Sequence, residues 1–364
     1  MTNASAQPQL GVIFNPNSRK NVAQPQRYER LQTLVQGAGS VVRTPDVDAL
    51  QGAITALLSD APDYWVADGG DGALHWMINT LAELEGIDAT ARDRVFVPTR
   101  GGTVDFVAKA IGLRGSPEEI VRDSVGALTH GEALHEVSVP SLVFEGEQRT
   151  PEGETRPFRR IGFGNALAGY GANFFIPFYA GRAGRGALRI IGVCSAMFGV
   201  AITRSLWRGP LDRFKPQGLR DAEETYLRPL RGEVKVDGEW VRDAEGEIVR
   251  EHTALHCASL PLDLNKVLYV FPQAGGGKMH VHAGHVSAAE MARIWPTLAR
   301  GGSVDALLPR AFDGCAQTLD VQCDPGRTMD PVLDGELYHG VTRLAVRMGP
   351  RFRMAGPRAR FPQS

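Results

Sequence analysis

Four strand-then-helix units in a row fill the first third of the chain and restrict its fold more than any other feature. "LGVIFNP" is a short apolar run ended by Asn-Pro, and "QRYERLQTLVQGAG" follows with leucines at helical spacing and a glycine stop. The same alternation repeats in "SVVRTP" with "VDALQGAITALLSD", in "YWVADGG" with "ALHWMINTLAEL", and in "RVFVPTRGG" with "VDFVAKAIGL". Consecutive units of this kind predict a parallel sheet with helices on both faces. Such sheets bind ligands at the loops that leave the carboxyl ends of their strands.

After about residue 135 the pattern changes to strand-like segments, among them "ALHEVSVPSLVF", "RRIGFGNAL", "GEVKVDGEWV", "TALHCASL", "GKMHVHAG", "TLDVQCD" and "RLAVRM". Helices are expected chiefly around residues 183–205 and 288–298, and "EGEQRTPEGETRPF" and "DAEGEIVREH" read as polar hairpin loops. The expectation is an α/β domain over residues 1–135, a mainly antiparallel domain over 136–350 and a basic tail over 351–364. At 364 residues the chain has the length for two cores.

Lys+Arg of 40 against Asp+Glu of 41 gives no global field, so nucleic acid is not expected as a partner. The four cysteines form no C-x-x-C pair and no disulfide framework. A polar start, "MTNASAQPQL", predicts a cytoplasmic protein. The longest apolar stretch, "ALRIIGVCSAMFGVAI", carries an arginine and falls short of the roughly 20 residues of a membrane span.

Three of the four strand ends carry a loop suited to phosphate: "FNPNSRKN" (Phe14 to Asn21), "DGGDGA" (Asp68 to Ala73) and "PTRGGT" (Pro98 to Thr103). Glycine lets backbone approach a ligand because no Cβ intervenes, and the free N–H groups of a following helix attract phosphate oxygens. An aspartate there repels phosphate unless a divalent cation lies between them. Asp71 is therefore better read as a metal-facing or phosphate-adjacent residue than as turn filler, although a helix-capping aspartate is the plain alternative. Neither a Walker P-loop nor a G-x-G-x-x-G after a strand is present.

Read in order, "NPNSR" (Asn15 to Arg19), "GGDGA" (Gly69 to Ala73) and "GTVDFVA" (Gly102 to Ala108) resemble the three marks of the diacylglycerol kinase catalytic superfamily. That superfamily also includes sphingosine, ceramide and bacterial lipid kinases, and its marks are N-P-x-[SA]-G, G-G-D-G-T and G-T-x-N-[DA]-[FL]-A. "IGFGNALAGYGANFF", "GRGALRIIGVCSAMFGVAI" and "PVLDGELYHGVTRLAVRMGPRFRM" extend the resemblance over nearly the whole chain. It implies an NAD kinase/diacylglycerol kinase-like two-domain fold, with ATP held between the domains. It also implies a nucleotide site built from Asn15, Pro16, Ser18, Lys20, Thr44, Gly69, Gly70, Asp71, Gly72, Gly102, Thr103 and Asp105, with Mg2+ on Asp71. A membrane lipid hydroxyl would be phosphorylated, with Asp334 or Glu336 as the general base. The protein would act in the cytoplasm, transiently at the inner face of the membrane, and related folds often pair subunits, which leaves a homodimer open.

The chain departs from the pattern at Ala73, His75, Trp76, Asp105 and Phe106, which leans the resemblance towards sphingoid or ceramide kinases over diacylglycerol kinases. An NAD kinase-like enzyme or a non-catalytic nucleotide- or lipid-binding protein is the alternative. Lys278 argues against the second, structural magnesium site of some bacterial members. A second Asp-Gly-Glu, Asp237 to Glu239, reads as a turn. His280, His282 and His285 of "HVHAGH" read as surface histidines, since no acidic or cysteine partner follows at zinc-ligand spacing. "NFFIPFYAGRAGRGALR" mixes Phe174, Phe175, Phe178 and Tyr179 with Arg182, Arg185 and Arg189, a composition that suits a membrane interface.

Overall fold

The predicted strands of the first third are β1 (Leu10–Phe14), β2 (Gly39–Arg43), β3 (Tyr64–Asp68) and β4 (Val95–Pro98), and they pair in parallel. β1 lies between β2 and β3, and β4 follows on the far side of β3. The computed structural model describes residues 8–180, 187–207, 209–264, 268–302, 304 and 307–362. It divides into two units, Met1–Ser141 with Gly349–Ser364, and Leu142–Met348.

Among the described residues of the first unit seven α-helices accompany the sheet: α1 (Arg19–Val22), α2 (Arg27–Val35), α3 (Asp48–Asp60), α4 (Asp71–Glu85), α5 (Ile87–Asp93), α6 (Phe106–Ala110) and α7 (Pro117–Thr129). Period-two alternation sends Leu10, Val12 and Phe14 to one face, where they pack with Leu31 and Val35 of α2 and Ile120, Val121 and Leu128 of α7. On the opposite face Gly11 lies against Leu57 and Pro62, so that a Cβ there would come within 2.8 Å of the proline ring. Ser116 and Glu119 start α7 with a reciprocal capping box ahead of Pro117.

Strands β5 (His135–Arg149), β6 (Thr155–Gly162), β7 (Gly164–Gly169), β8 (Leu230–Val236), β9 (Glu239–Trp240), β10 (Glu251–His252) and β11 (Ala254–Ala258) continue the chain. A small hairpin of β12 (Leu262–Leu264) and β13 (Leu268–Val270) follows. The last strands are β14 (Met279–Gly284), β15 (Ala311–Ala316), β16 (Thr318–Cys323), β17 (Val332–Leu333), β18 (Glu336–Leu337) and β19 (Val341–Gly356). In the second unit β8 pairs with β9, β10 and β16, and β16 with β19, while β15, β14, β11, β7, β17 and β18 form a separate sheet in that order; the pairings are antiparallel. Helices α8 (Tyr170–Ala180), α9 (Ala187–Leu206) and α10 (Gln217–Leu227) pack on one another, and α11 (Ala288–Ala299) contributes Ile294 to a small core with Val286, Val304 and Leu308. A parallel sheet flanked on both faces, followed by antiparallel sheets, is the fold class the sequence predicts.

Three expectations are corrected. Residues 351–356 are no tail: they end β19 and pair in parallel with β4, Arg353 opposite Val95 and Met354 opposite Phe96. Phe352 and Met354 are buried there, while Arg351 bonds Ser138 and Arg353 bonds Glu136. Beyond them Arg360 meets Asp123 at 2.5 Å and also reaches Glu119. Second, most of "EGEQRTPEGETRPF" is strand, with β5 and β6 joined only by residues 150–154. Third, the histidines of "HVHAGH" are not all surface residues: His280 is fully buried, and His282 and His285 are half-buried. Arg182 and Arg185 of the aromatic–arginine segment lie outside the described residues, and so do the side chains of Tyr179 and Arg189.

Candidate functional site

The three loops at the carboxyl ends of β1, β3 and β4 meet backbone to backbone, the second and third through their glycines. A Cβ on Gly70 would lie 2.7 Å from the Gly102 Cα, and one on Gly101 would lie 2.8 Å from the Gly69 carbonyl oxygen. These glycines are therefore required by loop packing itself. The Gly101 N–H donates to the Gly69 carbonyl (2.8 Å) and the Lys20 N–H donates to the Gly101 carbonyl (3.2 Å). The Arg19 Nε donates to the Gly102 carbonyl at 3.1 Å. Thr99 Oγ1 accepts the Gly69 N–H at 3.1 Å and so ties the second loop to the third.

Beneath the loops lies an ion pair that the sequence did not disclose. Arg27 of α2 makes a forked contact with Asp68 at the end of β3, at 2.5 and 2.8 Å, and also donates to Asn21. Both are sealed from water, Arg27 at 2% exposure and Asp68 at 0%. The Asn21 amide in turn donates to the Asn15 carbonyl at 2.8 Å. A buried pair of this kind fixes geometry more than it adds stability, and loss of one partner costs about 3–5 kcal/mol. Forty-one residues separate the partners in sequence, so no local pattern marks them.

Asp71 opens α4, and its carboxylate reaches across to α6. Oδ2 accepts the Phe106 N–H at 2.8 Å and Oδ1 accepts the Val107 N–H at 3.1 Å. Asp105 sits in the left-handed region (φ 53°), and its Oδ1 accepts the Gly102 N–H at 2.7 Å. Burial raises the Asp105 pKa, against the opposing pull of the Gly102 bond and of Lys20, Arg100 and Lys109. Burial likewise lowers that of Lys20, which Asp105 partly offsets and Arg19, Arg100 and Arg27 reinforce. The loops thus gather several cations around one carboxyl group, a field suited to an anion.

Two buried polar atoms here have no hydrogen-bond partner among the described residues, Ser18 Oγ and Arg100 Nε. Unsatisfied donors of this kind call for a ligand or ordered water. Thr44 is buried at the end of β2 with its hydroxyl on the Phe14 carbonyl (3.3 Å). Pro16 lies in the first loop, Gly72 in the first turn of α4 and Thr103 in the third loop. Of the departures from the family pattern, Ala73 fills the space beside Gly69, where an added Cβ would come within 2.5 Å of the alanine methyl. His75 is buried in α4, edge-on to Trp76. Arg19 and Arg100 were missed as site residues, although Arg19 stands where the family motif has glycine, and that signal was readable.

The other candidates belong to the second unit. Asp334 and Gly335 form the two-residue turn between β17 and β18, with Leu333 paired to Glu336. Asp334 is left-handed at φ 49° and Gly335 at φ 91°. Asp334 Oδ1 accepts both the Phe163 and the Gly164 N–H at 2.9 Å, and the residue is 6% exposed. Glu336 is half-buried, and among the described residues no hydrogen bond or ion pair holds its carboxylate. Close by in sequence, Tyr338 has Arg160 5.4 Å from its ring, and burial raises its pKa.

The Asp237–Gly238 turn between β8 and β9 has the same construction. Val236 pairs with Glu239, Asp237 takes φ 49° and Gly238 φ 85°. Asp237 Oδ1 accepts two consecutive N–H groups, of Gln317 and Thr318, both at 2.8 Å.

Residues 9–134 match the model of the diacylglycerol kinase catalytic domain. No curated protein matches the chain in sequence. The fold is similar to that of a crystallised protein of Bacillus anthracis str. Sterne provisionally named a diacylglycerol kinase, with a TM-score of 0.60 and 12% identity over 97% of this chain and 98% of that one. A diacylglycerol kinase structure from the same organism gives a TM-score of 0.54 and 10% identity over the same shares. At such identities the likeness speaks for the fold alone, whereas the matched domain spans all three loops. Residues 9–134 thus carry the pattern of the diacylglycerol kinase catalytic domain, and the likeness in fold agrees with that match.

Proposed function

We propose that the protein is an ATP-dependent lipid kinase that transfers the γ-phosphate to the hydroxyl of a sphingoid, ceramide or diacylglycerol lipid. The observation that carries this reading is the meeting of the three loops, where unpartnered Ser18 Oγ and Arg100 Nε adjoin Lys20 and close-packed glycine backbone. That arrangement fits a polyphosphate: N–H groups and cations are present, and no side chain stands between the glycines. Phosphoryl transfer asks for positioning and charge neutralisation of this kind.

Magnesium fits as a companion of the nucleotide. Among the described residues the first unit holds no group of three carboxylate, histidine or cysteine ligands that could cage an ion. Magnesium commonly keeps its waters and substrate phosphates and takes one or two protein carboxylates. Asp71 would supply that carboxylate, with Asp105 as a second. The Phe106 and Val107 N–H groups take one site on each Asp71 oxygen, and an ionised carboxylate has about four lone-pair sites. When bound, the metal would neutralise phosphate charge.

In the second unit Glu336 is the better base. Asp334 commits Oδ1 to two backbone N–H groups, whereas the Glu336 carboxylate is not engaged in this way. A base needs a free lone pair within hydrogen-bond reach of the lipid hydroxyl.

The test is transfer of radiolabel from ATP to a panel of ceramide, sphingoid base, diacylglycerol and NAD. Label in one or more lipids supports the reading. Label in NAD alone, or in nothing while a known lipid kinase works under the same conditions, overturns it.

A further inference from the structure

We propose that the second unit carries a site for a divalent transition-metal ion, zinc by ligand chemistry, formed by His280 and His282 of β14 and Asp313 of β15. Their candidate ligand atoms all lie within 4.8 Å of one another. His280 Nε2 is 2.7 Å from Asp313 Oδ1, and His282 Nδ1 is 2.9 Å from the same oxygen. The set is shut away from water, with side-chain exposures of 0% for His280, 15% for His282 and 1% for Asp313. Strand geometry assembles it. His280 and His282 alternate onto one face of β14, and the register sets Asp313 opposite His282.

The sequence hides this site because the acidic ligand comes 31 residues after His282, on the next strand of the sheet. Two imidazoles and one carboxylate are ligands that suit zinc and its neighbours, not magnesium or calcium. Asp313 Oδ2 accepts the Val304 N–H at 2.7 Å, an outer bond of the kind that orients a metal-bound carboxylate. A second observation is independent of the cluster's own contacts. His282 Nε2 and His256 Nε2 are both buried with no hydrogen-bond partner among the described residues. His256 faces His282 in the strand register, so both rings occupy one side of the sheet. A buried ring nitrogen left unpaired costs about 1–3 kcal/mol, so the space beside the three ligands carries a polar demand that the described residues do not meet.

Phe271 lies beside the group, its ring centroid 5.2 Å from that of His282 and 6.0 Å from that of His280. Ligation through His280 Nε2 places the ring proton on Nδ1, so the long 3.4 Å contact from the Gln273 N–H must open. That is a weak bond to give up. The inference does not rest on the kinase reading, and the site has no part in the transfer reaction proposed above.

The experiment loads the full-length chain with Zn2+, removes free metal, and counts the zinc retained; Co2+ loading followed by visible absorption checks the ligand field. Wild type and His130→Gln, which removes an exposed histidine of the first unit, are expected to keep about one zinc per chain. Asp313→Asn and His282→Gln are expected to bind at least about 10-fold more weakly with unchanged circular dichroism. A chelator should lower the melting temperature of metal-loaded wild type and leave both variants unmoved. Wild type that retains no zinc or cobalt overturns the proposal, and so does retention that both variants leave unchanged. If a variant fails to fold, the wild-type metal count and chelator shift decide alone.

Discussion

The two Asp-Gly-Glu turns share one sequence and one backbone, yet they differ in what surrounds them. Both aspartates are left-handed at φ 49°, both are followed by a left-handed glycine, and both accept two consecutive N–H groups on one oxygen. Asp-Gly suits a two-residue hairpin because both central positions need positive φ. The aspartate in each is thus explained by the turn. What differs is exposure: Asp237 stands at the surface, whereas Asp334 is 6% exposed. Asp237, read from the sequence as a turn residue, and Asp334, read as a candidate base, both tie a turn to a neighbouring strand, and under the proposed function Glu336 is the candidate base without such a tie.

The sharpest way to break this comparison is at the glutamates. Glu336→Gln is expected to slow lipid phosphorylation by about 10²–10⁴-fold with ATP affinity unchanged, while Glu239→Gln leaves the rate as it is. Equal effects would remove the distinction between the two copies. The aspartates should separate in stability instead. Asp334→Ala leaves two N–H groups without a partner in a buried setting and should cost about 3 kcal/mol, against about 1 kcal/mol or less for Asp237→Ala, where water can substitute. Urea unfolding measures both, and Asp334→Asn, which keeps an accepting oxygen, should recover most of the loss.

A third left-handed aspartate extends the comparison to the smallest effect. Asp105 accepts one N–H, from Gly102, and burial raises its pKa above the ordinary 3.8. A raised folded pKa means that stability present below the unfolded value is lost as pH rises through the folded one. Asp105→Asn, which restores the family's residue and tolerates positive φ, should therefore melt slightly higher than wild type at neutral pH. The gain should shrink towards zero as pH falls below about 4. A gain that is constant with pH would show that ionisation is not its source.

Much of the first unit was legible because its signals are local. Each strand, its glycine stop and the next helix lie within some twenty residues, and periodicity reads them directly. The last strand was legible but misread: "PRFRMAG" alternates Arg351 and Arg353 with Phe352 and Met354, the period-two pattern of a strand with one buried face. A high arginine content suggested a tail instead. Arg27 with Asp68, and His280 and His282 with Asp313, were out of reach, since topology alone brings such distant residues together. The site shows the same division. Gly69, Gly70 and Gly102 announced the loops, but only the packing showed that their missing side chains make room for one another.

Asp71 offers the most direct test of the account. Asp71→Asn keeps an oxygen to accept from the start of α6 and removes the charge that would face a metal-bound phosphate. Label transfer from ATP to the best lipid acceptor should be measured for wild type and this variant, both folded. The account predicts labelled lipid from wild type and a rate at least about 100-fold lower from the variant. Equal transfer by the two proteins would contradict it.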